Sequence, residues 1–282
     1  MKFNHISGAI AFLLATPLVT SLSVGVAPSR AATIAGSAAA VMIDNISHTP
    51  TDTGTFTNIN TYTQAIANSG SVISEATADA VFISNCHELL AENLSQSAVI
   101  GSGNNYSGFA QSQAAVIGDF FIDAEETFSF TFQTFLALLT SVDNPQSERA
   151  RAGGSISFWV INTVTNILLD SFQFAIGLDS SSGFSANAFV SNSFKPTQIN
   201  FNFLAEGSTA ATLLYTSGVY SRTFNSATNL TLVEVKNNIA KAEAEAEAVP
   251  EPSTVLGTAI FLGLFVRQRK HKKQMSEVKS KV

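Results

Sequence analysis

One cysteine in 282 residues, Cys86, excludes an intrachain disulfide scaffold and any metal centre built from several thiolates. Histidine is scarce as well. His5 and His271 lie near the two ends, so an imidazole-based site in the body would have to use His48 or His87. Charged side chains make up 13% of the chain, about half the usual ~25% of a soluble domain, so charge repulsion does not hold the chain open. The balance is acidic, with 15 Lys and Arg against 21 Asp and Glu, and no basic stripe accompanies the aromatics. Nucleic acid is therefore not an expected partner. What the sequence has in abundance is phenylalanine, 22 residues against 4 Tyr and 1 Trp.

Both ends differ from the body. Lys2 and His5 precede an apolar stretch, Ile6 to Val19, and then small residues through Ser29, Arg30, Ala31 and Ala32. A basic start, an apolar middle and a small-residue site is the order of a secretory signal over 1–31, with cleavage between Ala31 and Ala32 by a signal peptidase after delivery by the secretion machinery. The other end runs Val249, Pro250, Glu251, Pro252, Ser253, then an apolar stretch. That stretch is Val255, Leu256, Gly257, Thr258, Ala259, Ile260, Phe261, Leu262, Gly263, Leu264, Phe265 and Val266. A basic cluster of Arg267, Arg269, Lys270, Lys272 and Lys273 follows, and 274–282 is a polar tail. Twelve residues make about 18 Å of helix, short of a hydrocarbon core of about 30 Å. A short transmembrane helix that anchors transiently, with the basic cluster on the cytoplasmic side, is the expectation.

This tail resembles the PEP-CTERM sorting region of exported bacterial proteins, the match being Pro250-Glu251-Pro252, the apolar stretch and the basic cluster. The resemblance implies recognition by an exosortase, a membrane cysteine transpeptidase. It would cut near the motif and pass the protein from the inner membrane to the cell surface or the extracellular space. The stretch from Asp143-Asn144-Pro145-Gln146 through 149–158 to the ending 230–236 in turn resembles cyanobacterial PEP-CTERM proteins. That likeness implies a surface location in a photosynthetic bacterium and no established activity.

The body, 32–235, reads as all-β. In Thr127–Thr134, Phe128, Phe130 and Phe132 alternate with Ser129, Thr131 and Gln133, the period of a half-buried antiparallel strand. Residues 155–158, 171–174 and 200–203 repeat the pattern, and Thr231–Val235 closes the series with Glu234 facing outward. Turns are expected at 143–145, 152–154, 180–183, 195–197 and 205–207. Many short strands predict an antiparallel β-sandwich, jelly-roll-like, with the phenylalanine-poor part before Gly118 supplying thin outer strands. A helical turn is expected within 85–93. The Ala/Glu stretch 236–248 reads as a solvated linker presenting the sorting region, 249–273.

Chemistry is sparse. In Cys86-His87-Glu88 consecutive side chains diverge, whereas a nucleophile and its base must meet in space. Asp119, Asp123, Glu125 and Glu126 fall within eight residues, and strand alternation would put Asp123 and Glu125 on one face. These two would be the ligands of a Ca²⁺ ion, although an exposed acidic edge that discourages strand addition accounts for them without a metal. No cofactor is otherwise expected. The favoured reading is a non-enzymatic exported surface or matrix protein, retained with exopolysaccharide. The alternatives are a secreted carbohydrate-binding module, with Trp159, Tyr106, Tyr215 and Tyr220 as stacking candidates and Trp159 the one expected in the core, or a secreted hydrolase. Residues 32–250 hold 19 of the acids and 6 of the bases, so the exported part is strongly acidic between two basic ends.

Overall fold

The computed structural model describes residues 32–66, 69–85 and 89–245. The chain divides into two units, Met1–Glu245 and Ala246–Val282, and every described residue belongs to the first. Its strands are β1 (Ala32–Asp44), β2 (Asp52–Ala65), β3 (Gly70–Ser84), β4 (Leu89–Gly103), β5 (Tyr106–Ile122) and β6 (Thr127–Ser141). They continue with β7 (Glu148–Asn162), β8 (Ile167–Asp179), β9 (Gly183–Val190), β10 (Phe194–Glu206), β11 (Thr209–Thr223) and β12 (Thr228–Ala244). There is no helix among the described residues.

Two six-stranded antiparallel sheets form, in the orders β10-β11-β6-β1-β4-β3 and β2-β5-β12-β7-β8-β9. Their buried faces meet in a large phenylalanine-rich cluster and a smaller alanine-rich one, so the sandwich expectation fits. Most strands have 13 to 17 residues, so at about 3.3 Å per residue each is some 45–55 Å long. Only β3–β4, β7–β8, β8–β9 and β10–β11 are hairpins within one sheet, and every other connection crosses between sheets.

The phenylalanine alternation does what its period requires. Phe128, Phe130 and Phe132 of β6 point inward and meet Phe158 of β7, Phe172 of β8, Phe194 of β10 and Tyr220 of β11. Phe158 alone lies within 6.3 Å, ring to ring, of Phe130, Phe132, Phe172 and Phe194. The phenylalanine-poor part behaves differently from expectation. β2 and β3 are edge strands, but β1, β4 and β5 lie inside their sheets, and Ala, Ser and Gly bring the two layers close there.

Several other expectations are corrected. Leu89–Asn93 begins strand β4 and forms no helical turn, because Ala91 and Asn93 alternate into the interior with Ser95 and Ser97. Gly153 and Gly154 form no turn either. They sit in the middle of β7, where a Cβ on Gly154 would lie 2.3 Å from Leu136 Cδ1 and 3.1 Å from Asn238 Oδ1. Lys195-Pro196-Thr197 lies in β10, and its proline is accommodated by a bulge between Pro196 and Gln198 on an edge strand. Phe201 and Phe203 are in a strand as expected, yet both remain near 45% exposed because β10 is an edge facing its equally exposed counterpart β9 across the layers. Phe184 of β9 packs 5.2 Å from Phe201 and 5.6 Å from Phe203 at this open flank.

The largest correction concerns 236–244. The expected solvated linker is the second half of β12, an inner strand hydrogen-bonded to β5 on one side and β7 on the other, with Ala240, Ala242 and Ala244 buried. Residues 246–248 of the expected linker lie outside the described residues.

Candidate functional site between the sheets

β12 presents one row of residues to the interior: Thr228, Leu230, Leu232, Glu234, Lys236, Asn238, then three alanines. The row is apolar at one end and small at the other, with two charges and an amide between. Glu234 was expected to face outward. It is instead fully buried, as are Lys236 and Asn238, because period two puts it in register with Leu232 while Val233 and Val235 take the outer face.

The opposite sheet supplies partners. Asn93 of β4 donates through Nδ2 to Glu234 Oε2. Asn238 donates to Ser95 O at 3.0 Å and to Ser95 Oγ, and accepts from Ser37 Oγ at 2.6 Å. Ser97 Oγ donates to Asn238 O at 3.2 Å and lies 3.0 Å from Ser112 Oγ. Asn238 is thus satisfied at both ends of its carboxamide. Its neighbours are not: Lys236 Nζ, Glu234 Oε1 and Asn93 Oδ1 are all buried without a hydrogen-bond partner among the described residues.

Such a layer is costly for charged groups. Burial pushes the Glu234 carboxyl up to about 7, opposed by the Lys236 charge and the Asn93 hydrogen bond. Burial likewise brings the Lys236 ammonium down to about 7, opposed by Glu234 and Asp79. An amine, a carboxyl group and a carboxamide share one buried compartment. A cavity of about 60 Å³ is lined in part by Ser37 and Ser97, which bond Asn238, and by the exposed Glu75.

The residues singled out from the sequence fall elsewhere. Ala31, the motif Val249–Ser253, the apolar stretch 255–266, the basic cluster 267–273 and Cys86-His87-Glu88 lie outside the described residues. Ala32 opens β1, and its backbone N lies 2.8 Å from Asp143 Oδ2. Asp123 and Glu125 do not share a strand face. They sit in the β5–β6 turn, exposed, with Glu125 at φ 67°, and among the described residues no group of three or more His, Cys, Asp or Glu gathers as a metal site. Asp119 lies within β5 and accepts from Thr231 Oγ1 at 2.6 Å.

His48 joins the same turn. Its Nε2 is 3.0 Å from Glu126 Oε2 and its Nδ1 is 2.7 Å from Ser47 Oγ, which also accepts the Ser129 N–H at 2.9 Å. These bonds clamp the β1–β2 connection onto β6. The His48 hydrogen bond holds the Glu126 carboxyl below its ordinary value, so the clamp's contribution is present above the ordinary carboxylate range and is lost as pH falls through the lowered value. An NMR titration is expected to find Glu126 lowered in the wild type and returned upward in His48→Ala.

Of the stacking candidates, Tyr106 and Tyr220 are buried between the sheets, whereas Trp159 and Tyr215 are half-buried on the outer faces of different sheets. Trp159 is therefore not in the core as expected, since it alternates with Phe158, which is. Tyr220 serves a second polar contact between layers: its hydroxyl donates to Asp170 Oδ2 at 3.0 Å, and Arg222 Nη1 reaches the same oxygen at 2.7 Å. Single-residue patterns do not reveal these pairings, because each joins strands from opposite sheets.

No protein-family model, no curated protein and no solved structure matches this chain.

Proposed function

We propose that the chain is an exported protein of the cell surface or extracellular matrix with a jelly-roll-like body, without enzymatic activity toward other molecules. The secretion machinery delivers it, a signal peptidase cuts between Ala31 and Ala32, and an exosortase processes the tail at Pro250-Glu251-Pro252. Exopolysaccharide is the partner that retains it. The observation that carries this reading is the order of motif, apolar stretch and basic cluster after residue 249. Two features of the fold support it. The backbone N of Ala32 lies 2.8 Å from Asp143 Oδ2, so cleavage before Ala32 would create an α-ammonium beside that carboxylate. The last strand ends at Ala244, five residues before the motif, so the body is complete before the sorting region starts.

Replacing Pro250 and Pro252 together by alanine in the native cell is expected to leave the tail attached and the protein in the membrane fraction. Mass spectrometry of the protein and fractionation of the cells read the result. Processing and surface arrival at the wild-type level would overturn the assignment.

A further inference from the structure

Glu234 and Lys236 are successive inward residues of β12, and Asn93 faces them from β4 of the other sheet. We infer that Lys236 and Asn93 become joined by an intramolecular isopeptide bond, with Glu234, which bonds Asn93 and neighbours Lys236 on the inward row of β12, as the acid–base group. The inference does not depend on the sorting assignment.

Three observations carry it. The first is composition of the compartment: an amine, a carboxyl group and a carboxamide, each at most 5% exposed, are brought together by strands 141 residues apart. The second is contact. Glu234 already accepts the Asn93 Nδ2–H, which places the acid–base group on the atom that must leave. Successive inward positions on a strand are about 7 Å apart, a span that the four methylenes of Lys236 cover. The third is the pattern of unmet hydrogen-bonding capacity. Lys236 Nζ, Glu234 Oε1 and Asn93 Oδ1 are the unpaired atoms of this compartment, whereas the neighbouring Asn238 is bonded at both Nδ2 and Oδ1. Asn93 is therefore the electrophile, and Asn238 holds the wall. A buried unpaired ammonium is among the most unfavourable groups a core can carry, and conversion to an amide removes it.

The step balances without a co-reactant. Transfer of one proton from Nζ to Glu234 yields a neutral amine and a carboxylic acid, a transfer favoured by the opposite effects of burial on the two groups. The Nζ lone pair adds to Asn93 Cγ, the new Cγ–Nζ bond forms, and the Cγ–Nδ2 bond breaks. Glu234 relays the proton lost by nitrogen to Nδ2, which departs as ammonia. The products are one secondary amide and one ammonia from one primary amine and one primary amide, and the proton first taken from Nζ stays on Glu234 until the ammonia carries it off as ammonium. No electron is gained or lost.

The test is the mass of the full chain after folding, followed by a tryptic map. The expected result is a protein lighter than its sequence by one ammonia for whatever termini it carries. The map should contain a branched peptide joining the β4 and β12 segments, with no tryptic cleavage after Lys236. Glu234→Gln and Lys236→Met should both show the full sequence mass, with unchanged circular dichroism reporting that they fold. Lys236→Met removes the buried charge as well as the nucleophile, so it stays informative where Glu234→Gln does not fold. A folded wild-type chain at full sequence mass, a branch mapped to any other asparagine, or a cross-link retained in folded Glu234→Gln would each overturn the proposal.

Discussion

Phe158→Ala is expected to lower unfolding stability by about 3–5 kcal/mol, measured as a shift of the denaturant midpoint at unchanged slope. Phe158 is fully buried on β7, and its ring contacts four others drawn from β6, β8 and β10. Truncation therefore removes contacts to both sheets at once. The rings around it are fixed by their own neighbours, Phe130 against Tyr220 at 5.0 Å and Phe172 against Phe174 at 5.5 Å, so little can move in to fill the space. The upper part of the range is expected for that reason. Phe201→Ala is the control of identical chemistry: on the open edge, with 45% of its surface already in water, it should cost well under half as much.

Gly218→Val tests the same core from the opposite direction. Gly218 lies on β11 directly across from Phe132, and a Cβ there would stand 2.6 Å from Phe132 Cζ and 2.7 Å from the Lys195 carbonyl oxygen. Neither neighbour yields easily. Phe132 is held by Phe158, Phe172 and Phe194, and Lys195 O is backbone next to the β10 bulge. Overfilling of this kind costs about 1–3 kcal/mol and sometimes more, and valine at this position is expected at or above 3 kcal/mol. Thermal unfolding should show it. A variant within 0.5 kcal/mol of wild type, roughly the noise of a surface substitution, would mean that Phe132 has another place to go.

These two positions mark how far the sequence could be read. The inward rows around Phe128, Phe158 and Phe172 were legible because Ser, Thr or Gln stands at nearly every outward position between the aromatics, so the period and the phase agree. β12 obeys the same period with the phase inverted. Val233, Val235 and Ile239 lie outward while Glu234, Lys236 and Asn238 lie inward, and hydropathy alone assigns such a strand to the wrong side or to no strand. Alanine compounds the difficulty, since Ala240, Ala242 and Ala244 are buried only because Tyr106, Ala110 and Ala150 flank them and Ala35 and Val99 of the other sheet cover them. Trp159 was unreadable for a simpler reason: Phe158 to Ile161 is apolar at every position, so alternation carries no information past Phe158. The candidate site follows the same logic. Lys236 and Glu234 are ordinary surface residues by type, and only the pairing of β12 with β5 and β7 shows that they are enclosed.

The place of β12 also sets an order of events. A chain made from its N-terminus delivers β5 and β7 long before β12, yet these two strands do not touch each other and are joined only through it. Until Ala244 has emerged, the second sheet exists as two separate pieces, β2-β5 and β7-β8-β9, each with an unpaired backbone edge where its central neighbour belongs. Closure of the body therefore adds the last strand to the middle of a sheet, a long-range pairing of the kind that slows folding relative to local hairpins.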